Sequence, residues 1–187
     1  MSLNLIIGCM FSGKSTEIIK LINRLQKIDE QCFIVKPQID NRYSSTMIYT
    51  HDSFQRKCEV RKELIPLFDN NNYKLSKYII IEEAQFFKDL ESFILKAVDR
   101  DKKNVTVVGL DGDSNRNNFG DIHKLIPLCD NITKLKALCS FCKNGTEAIF
   151  TKRLFNDKNQ LCIGGSDKYI ALCRNCYLIE NDIEDDI

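Results

Sequence analysis

Short apolar runs alternate with segments of helical periodicity along the first 130 residues of the chain. The runs cover residues 3–7, 32–35, 78–81 and 105–108, and each has the length of a buried strand. Between the first two runs, apolar side chains recur three and four residues apart, as they do on one face of a helix. Strands that alternate with helices predict an α/β domain with a parallel sheet and right-handed crossovers. Ligands of such a sheet bind at the carboxyl ends of its strands.

Two more helices and two irregular segments complete this domain. The apolar residues within 90–98 predict an amphipathic helix. Those within 122–126 predict a shorter helix, which Pro127 is expected to stop. Residues 38–56 are polar and are expected to form a loop of unusual length, which suggests function or disorder. Residues 69–76 are expected to form a polar connector.

The character of the sequence changes after residue 138. Helical periodicity fades, two pairs of cysteines appear, and glycines punctuate the chain. We therefore predict a nucleotide-binding α/β domain of residues 1–138 and a smaller unit of residues 139–187. The whole chain of 187 residues is long enough for one sizeable core with such an appendage.

Composition narrows the class of protein. The 27 basic and 26 acidic side chains nearly cancel, so no global positive field points to nucleic acid. No apolar stretch has the length of a membrane span, and the first residues lack the pattern of a secretory signal. We therefore expect a cytoplasmic protein. In that compartment the nine cysteines are expected to be free thiols or metal ligands rather than disulfides.

The first apolar run leads directly into a phosphate-binding motif. Residues 8–16, Gly-Cys-Met-Phe-Ser-Gly-Lys-Ser-Thr, fit the P-loop pattern G-x-x-x-x-G-K-[ST]. Glycines at both ends let the backbone N–H groups wrap a polyphosphate. Lys14 would bring positive charge to the terminal phosphates, and Ser15 would offer its hydroxyl to Mg²⁺. A strand before the motif and a helix after it give the context that a genuine nucleotide site requires.

The third apolar run ends in two carboxylates, Glu82 and Glu83. An apolar strand ending in acids has the general form of a Walker B element, which holds Mg²⁺ or activates a nucleophile. Adjacent side chains point in different directions, so one acid can face the metal and the other an acceptor hydroxyl. With a P-loop in the same sheet, we interpret this pair as functional rather than as two solvated acids.

Four of the cysteines form two C-x₂-C pairs, Cys139 with Cys142 and Cys173 with Cys176. Four thiolates suit a tetrahedral Zn²⁺, which would stabilise a segment that is too small to hold itself together. A redox pair and an iron–sulfur cluster are the alternatives. The paired glycines Gly164 and Gly165 between the two pairs would let backbone approach a ligand closely, or would simply form a turn.

Together these motifs resemble the cytosolic-type (type II) thymidine kinases, and the resemblance covers nearly the whole chain. It rests on the P-loop, on both cysteine pairs and on seven further stretches. These stretches are residues 40–44, 50–52, 82–87, 110–112, 119–120, 151–153 and 164–169. The family's fold implies a P-loop NTPase-type (RecA-like) parallel sheet followed by a small C-terminal zinc-binding lasso domain.

By this resemblance, the enzyme transfers the γ-phosphoryl group of ATP to the 5′-hydroxyl of thymidine and gives thymidine monophosphate. Glu83 matches the catalytic base, Arg42 matches a phosphate-facing arginine, and Lys14 acts with them on the phosphates. Ser15 and Asp40 match the surroundings of Mg²⁺, and Glu82 matches the neighbouring Walker B acid. The implied ATP and Mg²⁺ site comprises Gly8, Cys9, Met10, Phe11, Ser12, Gly13, Lys14, Ser15, Thr16, Asp40, Asn41, Arg42, Glu82, Glu83, Ala84 and Gln85.

The resemblance also implies where the nucleoside binds. A lasso-like loop anchored by zinc covers the base in this family, largely through backbone contacts. The implied nucleoside site comprises Met10, Phe86, Leu110, Ser114, Phe119, Thr151, Gln160, Leu161, Cys162, Ile163, Gly164 and Tyr169. A homotetramer, feedback inhibition by thymidine triphosphate and activity on deoxyuridine are implied as well, without nucleic-acid or membrane partners.

Three departures from the family pattern keep alternatives open. Glu82 stands where the family usually has Asp, Ser114 where it usually has an aromatic residue, and the stretch 143–146 is slightly longer. Loss of an aromatic surface beside the base could cost about 1 kcal/mol. A related deoxynucleoside kinase with altered base selectivity is therefore one alternative. A zinc-containing, nucleic-acid-dependent P-loop ATPase is another, against which the near-neutral charge argues.

Overall fold

A computed structural model of the chain describes residues 1–39, 47–49, 55–155, 160 and 162–181. The strands in these ranges are β1 (Ser2–Gly8), β2 (Cys32–Pro37), β3 (Met47–Tyr49), β4 (Gln55–Lys57), β5 (Glu59–Arg61), β6 (Tyr78–Ile81), β7 (Asn104–Gly109), β8 (Asn131–Leu135), β9 (Ala137–Leu138), β10 (Glu147–Ala148), β11 (Phe150–Arg153) and β12 (Tyr169–Leu172). The α-helices are α1 (Lys14–Gln26), α2 (Asn71–Leu75), α3 (Leu90–Leu95) and α4 (Arg174–Ile179). Shorter 3₁₀ helices cover Ile65–Asp69, Ala84–Phe86 and Ile122–Leu128, and a π-helical turn covers Lys96–Arg100.

A six-stranded parallel sheet forms the centre of the molecule, with the strand order β5-β2-β6-β7-β1-β8. The four predicted apolar runs supply its four inner strands, and the α/β class predicted from the sequence is confirmed. The register places Leu5 of β1 between Val107 of β7 and Ile132 of β8. The carboxyl ends of β1, β6 and β7 therefore lie at one edge of the sheet.

Alternating side chains of the inner strands build two cores. On β6, Ile79 and Ile81 point into a cluster that includes Phe93 of α3, while Ile80 points to the opposite face. There it packs in a cluster that includes Ile18 of α1. All three β6 isoleucines are at most 1% exposed. Burial on both faces explains why these strands are continuous apolar runs in the sequence.

Two predicted helix ends differ in the structure. Helix α1 ends at Gln26, so Ile28 lies beyond the helix and is 64% exposed. Pro127 lies inside the 3₁₀ helix Ile122–Leu128 instead of stopping a helix before it. The buried residues Ile122 and Leu125 are three positions apart, and this spacing matches the tighter 3₁₀ turn.

Two segments expected to be irregular contain regular structure. Within 38–56, β3 pairs with β4 in antiparallel fashion, while residues 40–46 and 50–54 lie outside the described residues. Within 69–76, Asn70 begins the short helix α2, since its side-chain oxygen accepts hydrogen bonds from the N–H groups of Asn72 at 2.8 Å and Tyr73 at 3.3 Å. The polar residue that suggested a connector is therefore a helix cap.

Small antiparallel sheets follow the central sheet. Strand β9 pairs with β10, and β11 pairs with β12. Ala148 and Leu172 of these strands form a separate cluster with Tyr177 of α4, and Cys9 of the P-loop packs into the same cluster. The boundary between residues 138 and 139 stays a prediction. Every helix in the described ranges is too short or too polar to cross a membrane.

Candidate active site

The P-loop joins the end of β1 to the start of α1 in a conformation that needs both of its glycines. Gly13 has a φ of 83°, in the left-handed region that glycine adopts without strain. A Cβ atom at Gly8 would lie 2.5 Å from the carbonyl oxygen of Leu135 and 2.8 Å from Oγ of Ser12. A side chain at position 8 would therefore displace the neighbouring strand β8.

Contacts within the loop hold its shape. The Lys14 ammonium group donates to the carbonyl oxygens of Cys9 at 2.7 Å and Gly8 at 3.1 Å. The Ser12 hydroxyl donates to the same Cys9 carbonyl at 2.8 Å. Lys14 thus arches back over the loop, at the positive end of α1, where a helix favours anions. Loop, lysine and helix end form a cradle of the kind that holds the phosphates of a nucleotide.

Ser15 connects the P-loop to the end of β6. Its hydroxyl donates to Oε1 of Glu82 at 3.0 Å, and Glu82 is only 8% exposed. The longer side chain of Glu82, compared with an aspartate, reaches this hydroxyl directly. A hydroxyl and a carboxylate are the hard oxygen ligands that Mg²⁺ prefers, so the pair fits a site for that ion beside the phosphates.

Glu83 occupies a strained position at the end of β6. Its φ of 49° and ψ of 43° lie in the left-handed region, which a glutamate rarely adopts. Its carboxylate accepts a hydrogen bond of 2.6 Å from the side-chain amide of Gln85. The strain turns Glu83 out of the strand direction and into a cleft. Backbone strain of this kind is characteristic of functional sites.

Gln85 ties the ends of β6 and β7 together. It is 4% exposed, and its side-chain oxygen accepts a hydrogen bond of 3.2 Å from the N–H of Leu110. A Cβ atom at Gly109 would overlap this side chain, and one at Gly120 would overlap the Gln85 carbonyl group. Two close backbone approaches therefore fix Gln85, which in turn fixes the carboxylate of Glu83.

A cleft lies beside Glu83, at the carboxyl edge of the sheet, and contains about 520 Å³ of empty space when the part open to solvent is included. One wall comes from the segment after β7, which we call the base loop (residues 110–119). The opposite wall comes from β11 and from residues 160 and 162–169, which we call the lid. The cleft is lined by Met10, Glu83, Gln85, Phe86, Leu110, Gly112, Asp113, Ser114, Phe119, Thr151, Arg153, Gln160, Cys162, Ile163, Gly164 and Tyr169. Phe86 and Phe119 meet edge to face in this lining, with ring centroids 5.4 Å apart.

Two side chains at the C-terminal end of the lid hold its backbone over the cleft. The Tyr169 hydroxyl donates to the carbonyl of Cys162 at 2.5 Å, and Lys168 donates to the carbonyl of Ile163 at 2.9 Å. Burial raises the pKa of Tyr169, so this phenol stays a neutral donor at physiological pH. The lid is therefore held through its main chain, which leaves its inner surface available to a ligand.

The four paired cysteines come together behind β11 and β12. Their sulfur atoms all lie within 4.8 Å of one another, and Cys142 Sγ is 3.8 Å from that of Cys173 and 3.5 Å from that of Cys176. Tetrahedral zinc with Zn–S bonds of about 2.3 Å places its sulfurs about 3.8 Å apart. The cluster is thus close enough to bind zinc.

The chemistry of these sulfurs also suits a metal. Burial opposes ionisation of Cys139, yet backbone N–H groups, including that of Cys173 at 3.3 Å, lower the pKa of Cys139 to about 6. N–H donors that point at sulfur are the outer contacts that stabilise thiolate ligands. A thiolate is the form that binds metal.

The strands and the helix around the cysteine cluster contact both sides of the cleft. On the P-loop side, the N–H of Met10 donates to the Thr151 hydroxyl at 3.0 Å, and the Cys9 thiol lies 3.5 Å from the carbonyl of Ala148. On the base-loop side, the hydroxyl of Tyr177 in α4 donates to the carbonyl of Ser114 at 2.7 Å. The small sheets therefore support the walls of the cleft as well as the cluster.

Comparison with known proteins agrees with this geometry. A model of the thymidine kinase family matches residues 1–177. The chain belongs to the thymidine kinase family. A thymidine kinase of Amsacta moorei entomopoxvirus is 42% identical over 188 residues, covering 95% of this chain and 98% of the relative. That of Sheeppox virus is 39% identical over 180 residues, covering 95% and 97%. A longer thymidine kinase of Oryza sativa is 39% identical over 94% of this chain and 66% of its own length.

The structure gathers most of the site residues implied by the resemblance to thymidine kinases. Eleven of the twelve implied nucleoside residues line the cleft together with Glu83. Met10 is the P-loop residue in this lining, and the remaining residues of the loop join β1 to α1 beside the cleft. Asp40, Asn41, Arg42 and Leu161 fall outside the described residues, so their roles stay predictions.

Two buried charged residues of the lining were missed as site residues. Asp113 and Arg153 are each 7% exposed and face the cleft from the base loop and from β11. Arg153 ends the stretch 151–153 and Asp113 directly follows the stretch 110–112, but neither was singled out as a site residue. A signal for Asp113 lay in the polar residues at 114, 115 and 117, since an Asp in such a stretch commonly accepts backbone hydrogen bonds.

Proposed function

We propose that this member of the thymidine kinase family transfers the γ-phosphoryl group of ATP to the 5′-hydroxyl of thymidine and releases thymidine monophosphate. The observation that supports this most strongly is the position of Glu83. It projects into a cleft bounded by the lid and the base loop, one residue after Glu82, which contacts the P-loop. A phosphoryl donor on the P-loop and an acceptor in the cleft can therefore meet at this carboxylate.

On the donor side, the cradle of the P-loop binds the β- and γ-phosphates. The loop N–H groups and the ammonium group of Lys14, released from its two carbonyl contacts, approach the phosphate oxygens. Arg42 is proposed to join Lys14 there. Mg²⁺, held by Ser15 and Asp40 with Glu82 beside them, would supply the charge neutralisation that phosphoryl transfer requires.

On the acceptor side, Glu83 orients the 5′-hydroxyl and accepts its proton. As the hydroxyl oxygen bonds to the γ-phosphorus, the bond from that phosphorus to the β–γ bridging oxygen of ATP breaks, and ADP leaves. Gln85 holds the Glu83 carboxylate in place through its hydrogen bond of 2.6 Å. A fixed carboxylate within reach of the hydroxyl is the arrangement that general base catalysis needs.

The nucleoside base is proposed to lie between Phe86 and the lid. Residues 162–164 line the cleft, and their main-chain groups are proposed to offer donors and acceptors to the base edge. A base with a mismatched group would leave these polar groups buried and unpaired. Closure of the lid also excludes water, which protects ATP from hydrolysis.

Four further properties are proposed from membership of the thymidine kinase family alone. Deoxyuridine is expected to be a second substrate, thymidine triphosphate a feedback inhibitor, the assembly a homotetramer and the location cytoplasmic. The cysteine cluster is proposed to carry one structural Zn²⁺ per chain. No nucleic-acid or membrane partner is expected.

A panel of acceptors tests the proposal. ATP·Mg²⁺ is supplied with thymidine, deoxyuridine, deoxycytidine or deoxyguanosine, and the nucleoside monophosphates are quantified. We expect thymidine to be the preferred acceptor. Because Ser114 lines the cleft, preference for deoxycytidine or deoxyguanosine would indicate the kinase with altered selectivity instead. Absence of every nucleoside monophosphate, together with ATP hydrolysis that DNA stimulates, would overturn the kinase proposal.

A further inference from the structure

Asp113 organises the base loop although the proposed reaction gives it no role. Its Oδ1 accepts hydrogen bonds of 2.9 Å from the N–H groups of both Asn115 and Asn117. Its own N–H donates to the carbonyl of Asn117 at 3.0 Å. The residue is 7% exposed, so this carboxylate is a buried centre around which the loop folds.

The second oxygen of the same carboxylate faces the lid. Asp113 Oδ2 accepts a hydrogen bond of 2.8 Å from the side-chain amide of Gln160. The same amide nitrogen also donates to the carbonyl of Asn118 at 3.1 Å. Gln160 therefore donates from one amide nitrogen to two oxygens of the base loop, although it lies 47 residues after Asp113 in the sequence.

The main chain of Gln160 is fixed from the other side. The Arg153 guanidinium donates to the Gln160 carbonyl at 3.0 Å, and the same guanidinium lies 5.6 Å from the centre of the Tyr169 ring. Tyr169 in turn holds the carbonyl of Cys162. Gln160 thus joins the base loop to the part of the lid that lines the cleft.

We propose that Asp113 and Gln160 form a latch that positions residues 162–164 of the lid for binding of the nucleoside. The proposal rests on the proposed function, because it takes the occupant of the cleft to be a nucleoside. Both are positioning residues, since they act through the lid and need not touch the reacting atoms. The latch joins the two walls by a bond between an anionic acceptor and a neutral donor, and such bonds are stronger than those between neutral groups.

Replacing the donor of the hydrogen bond between Gln160 and Asp113 tests the latch. Gln160→Glu replaces the donor by a second carboxylate, at an exposed position, within hydrogen-bond distance of the buried carboxylate of Asp113, and two negative charges this close repel. We expect the KM for thymidine to rise at least about tenfold, while the KM for ATP changes by less than about twofold. A role in general stability would change both constants and the melting temperature together.

The double variant Asp113→Asn/Gln160→Glu supplies the matched rescue. The oxygen of the new amide at 113 can still accept from the N–H groups of residues 115 and 117, and its nitrogen can donate to the new carboxylate at 160. We expect the KM for thymidine to return to within about threefold of the original value. Gln31→Glu, an exposed change before β2 at the opposite edge of the sheet, is the control and is expected to have no effect.

Hydrogen exchange gives a readout that does not need the proposed activity. In the ligand-free protein, Gln160→Glu should speed exchange of the amides at 162–164, and the double variant should restore it. Unchanged exchange and unchanged KM in Gln160→Glu, or a double variant as impaired as the single one, would overturn the latch. If the unaltered protein phosphorylates no thymidine while exchange responds as expected, the proposed function fails and the latch stands.

Discussion

Contacts among neighbouring residues shape the lysine end of the P-loop, whereas contacts between distant segments hold the walls of the proposed nucleoside cleft. Lys14 and Ser12 bind the carbonyl of Cys9, five and three residues away. In the cleft, Gln160 reaches Asp113 across 47 residues and Tyr177 reaches Ser114 across 63. The lysine end of the donor half is therefore shaped locally, although Ser15 also reaches Glu82 and Met10 reaches Thr151. The walls of the acceptor half depend on contacts between distant segments.

This difference assigns separate tasks to the two parts of the molecule. The parallel sheet supplies the phosphate cradle and both carboxylates from the ends of β1 and β6. The lid lies between β11 and β12, and Tyr177 of α4, next to the cysteine cluster, donates to the base loop. Changes near the cysteine cluster should therefore weaken binding of the acceptor before they weaken binding of the donor, and changes at Glu83 should affect turnover alone.

The largest effect is expected where the two halves meet. Glu83→Gln removes the proposed proton acceptor but keeps the size of the side chain. We expect kcat to fall by about 10²- to 10⁴-fold, the range typical of a lost general base, with ATP affinity unchanged. Steady-state kinetics and calorimetric titration with an ATP analogue measure the two quantities. Glu91→Gln, in an exposed ion pair of 3.9 Å, is the matched control. Near-normal turnover in Glu83→Gln would remove this residue as the base.

A smaller effect, confined to the acceptor half, is expected from the cysteine cluster. Cys142→Ser removes one of four sulfurs, so the bound zinc should fall from about one per chain to nearly none. We expect the KM for thymidine to rise about tenfold, equivalent to about 1.4 kcal/mol, with a much smaller change for ATP. Metal analysis and kinetics provide the test.

Cys129→Ser is the control for that change, because its thiol contacts the carbonyl of Ile126 and lies outside the cluster. A metal-free protein with full activity would contradict the assignment of zinc. An equal loss of ATP and thymidine binding would contradict the separation of the two halves.

The smallest effect is expected at a single hydroxyl. Tyr177→Phe keeps the ring that packs against Phe150 at 4.9 Å but loses the bond to the Ser114 carbonyl. One hydrogen bond contributes about 1 kcal/mol, so the KM for thymidine should rise about fivefold. Tyr73→Phe loses a comparable bond of 2.8 Å to Asp101, far from the cleft, and should lower stability without changing the KM. The same KM change in both variants would show that Tyr177 acts through stability alone.

The sequence predicts the donor half well because its determinants are local. The P-loop pattern, the β6 run and the two acids that follow it are contiguous, and burial on both faces makes the inner strands plainly apolar. The edge strands β5 and β8 were not predicted. All residues of β8 except Leu135 are exposed, so its polar composition carries no strand signal.

The acceptor half could be predicted only through resemblance to a family. Composition and spacing give the four cysteines, but they do not show that Tyr177 supports Ser114 or that Gln160 binds Asp113. Such bonds depend on how distant segments pack, and none of these residues, taken alone, indicates its partner. The left-handed backbone of Glu83 is equally invisible in sequence, because it belongs to a turn that packs, through Gln85, against the distant Gly109 and Gly120.

The separation of donor and acceptor sites is tested most directly by titrating one variant with both ligands. In Lys14→Ala, the charge of the phosphate cradle is lost while the lid and the base loop keep their contacts. Calorimetry with a non-hydrolysable ATP analogue and Mg²⁺, and separately with thymidine, gives the two affinities. We predict at least about a tenfold loss for the ATP analogue and less than about a twofold change for thymidine. Equal losses for both ligands, or unchanged affinity for the ATP analogue, would contradict the account.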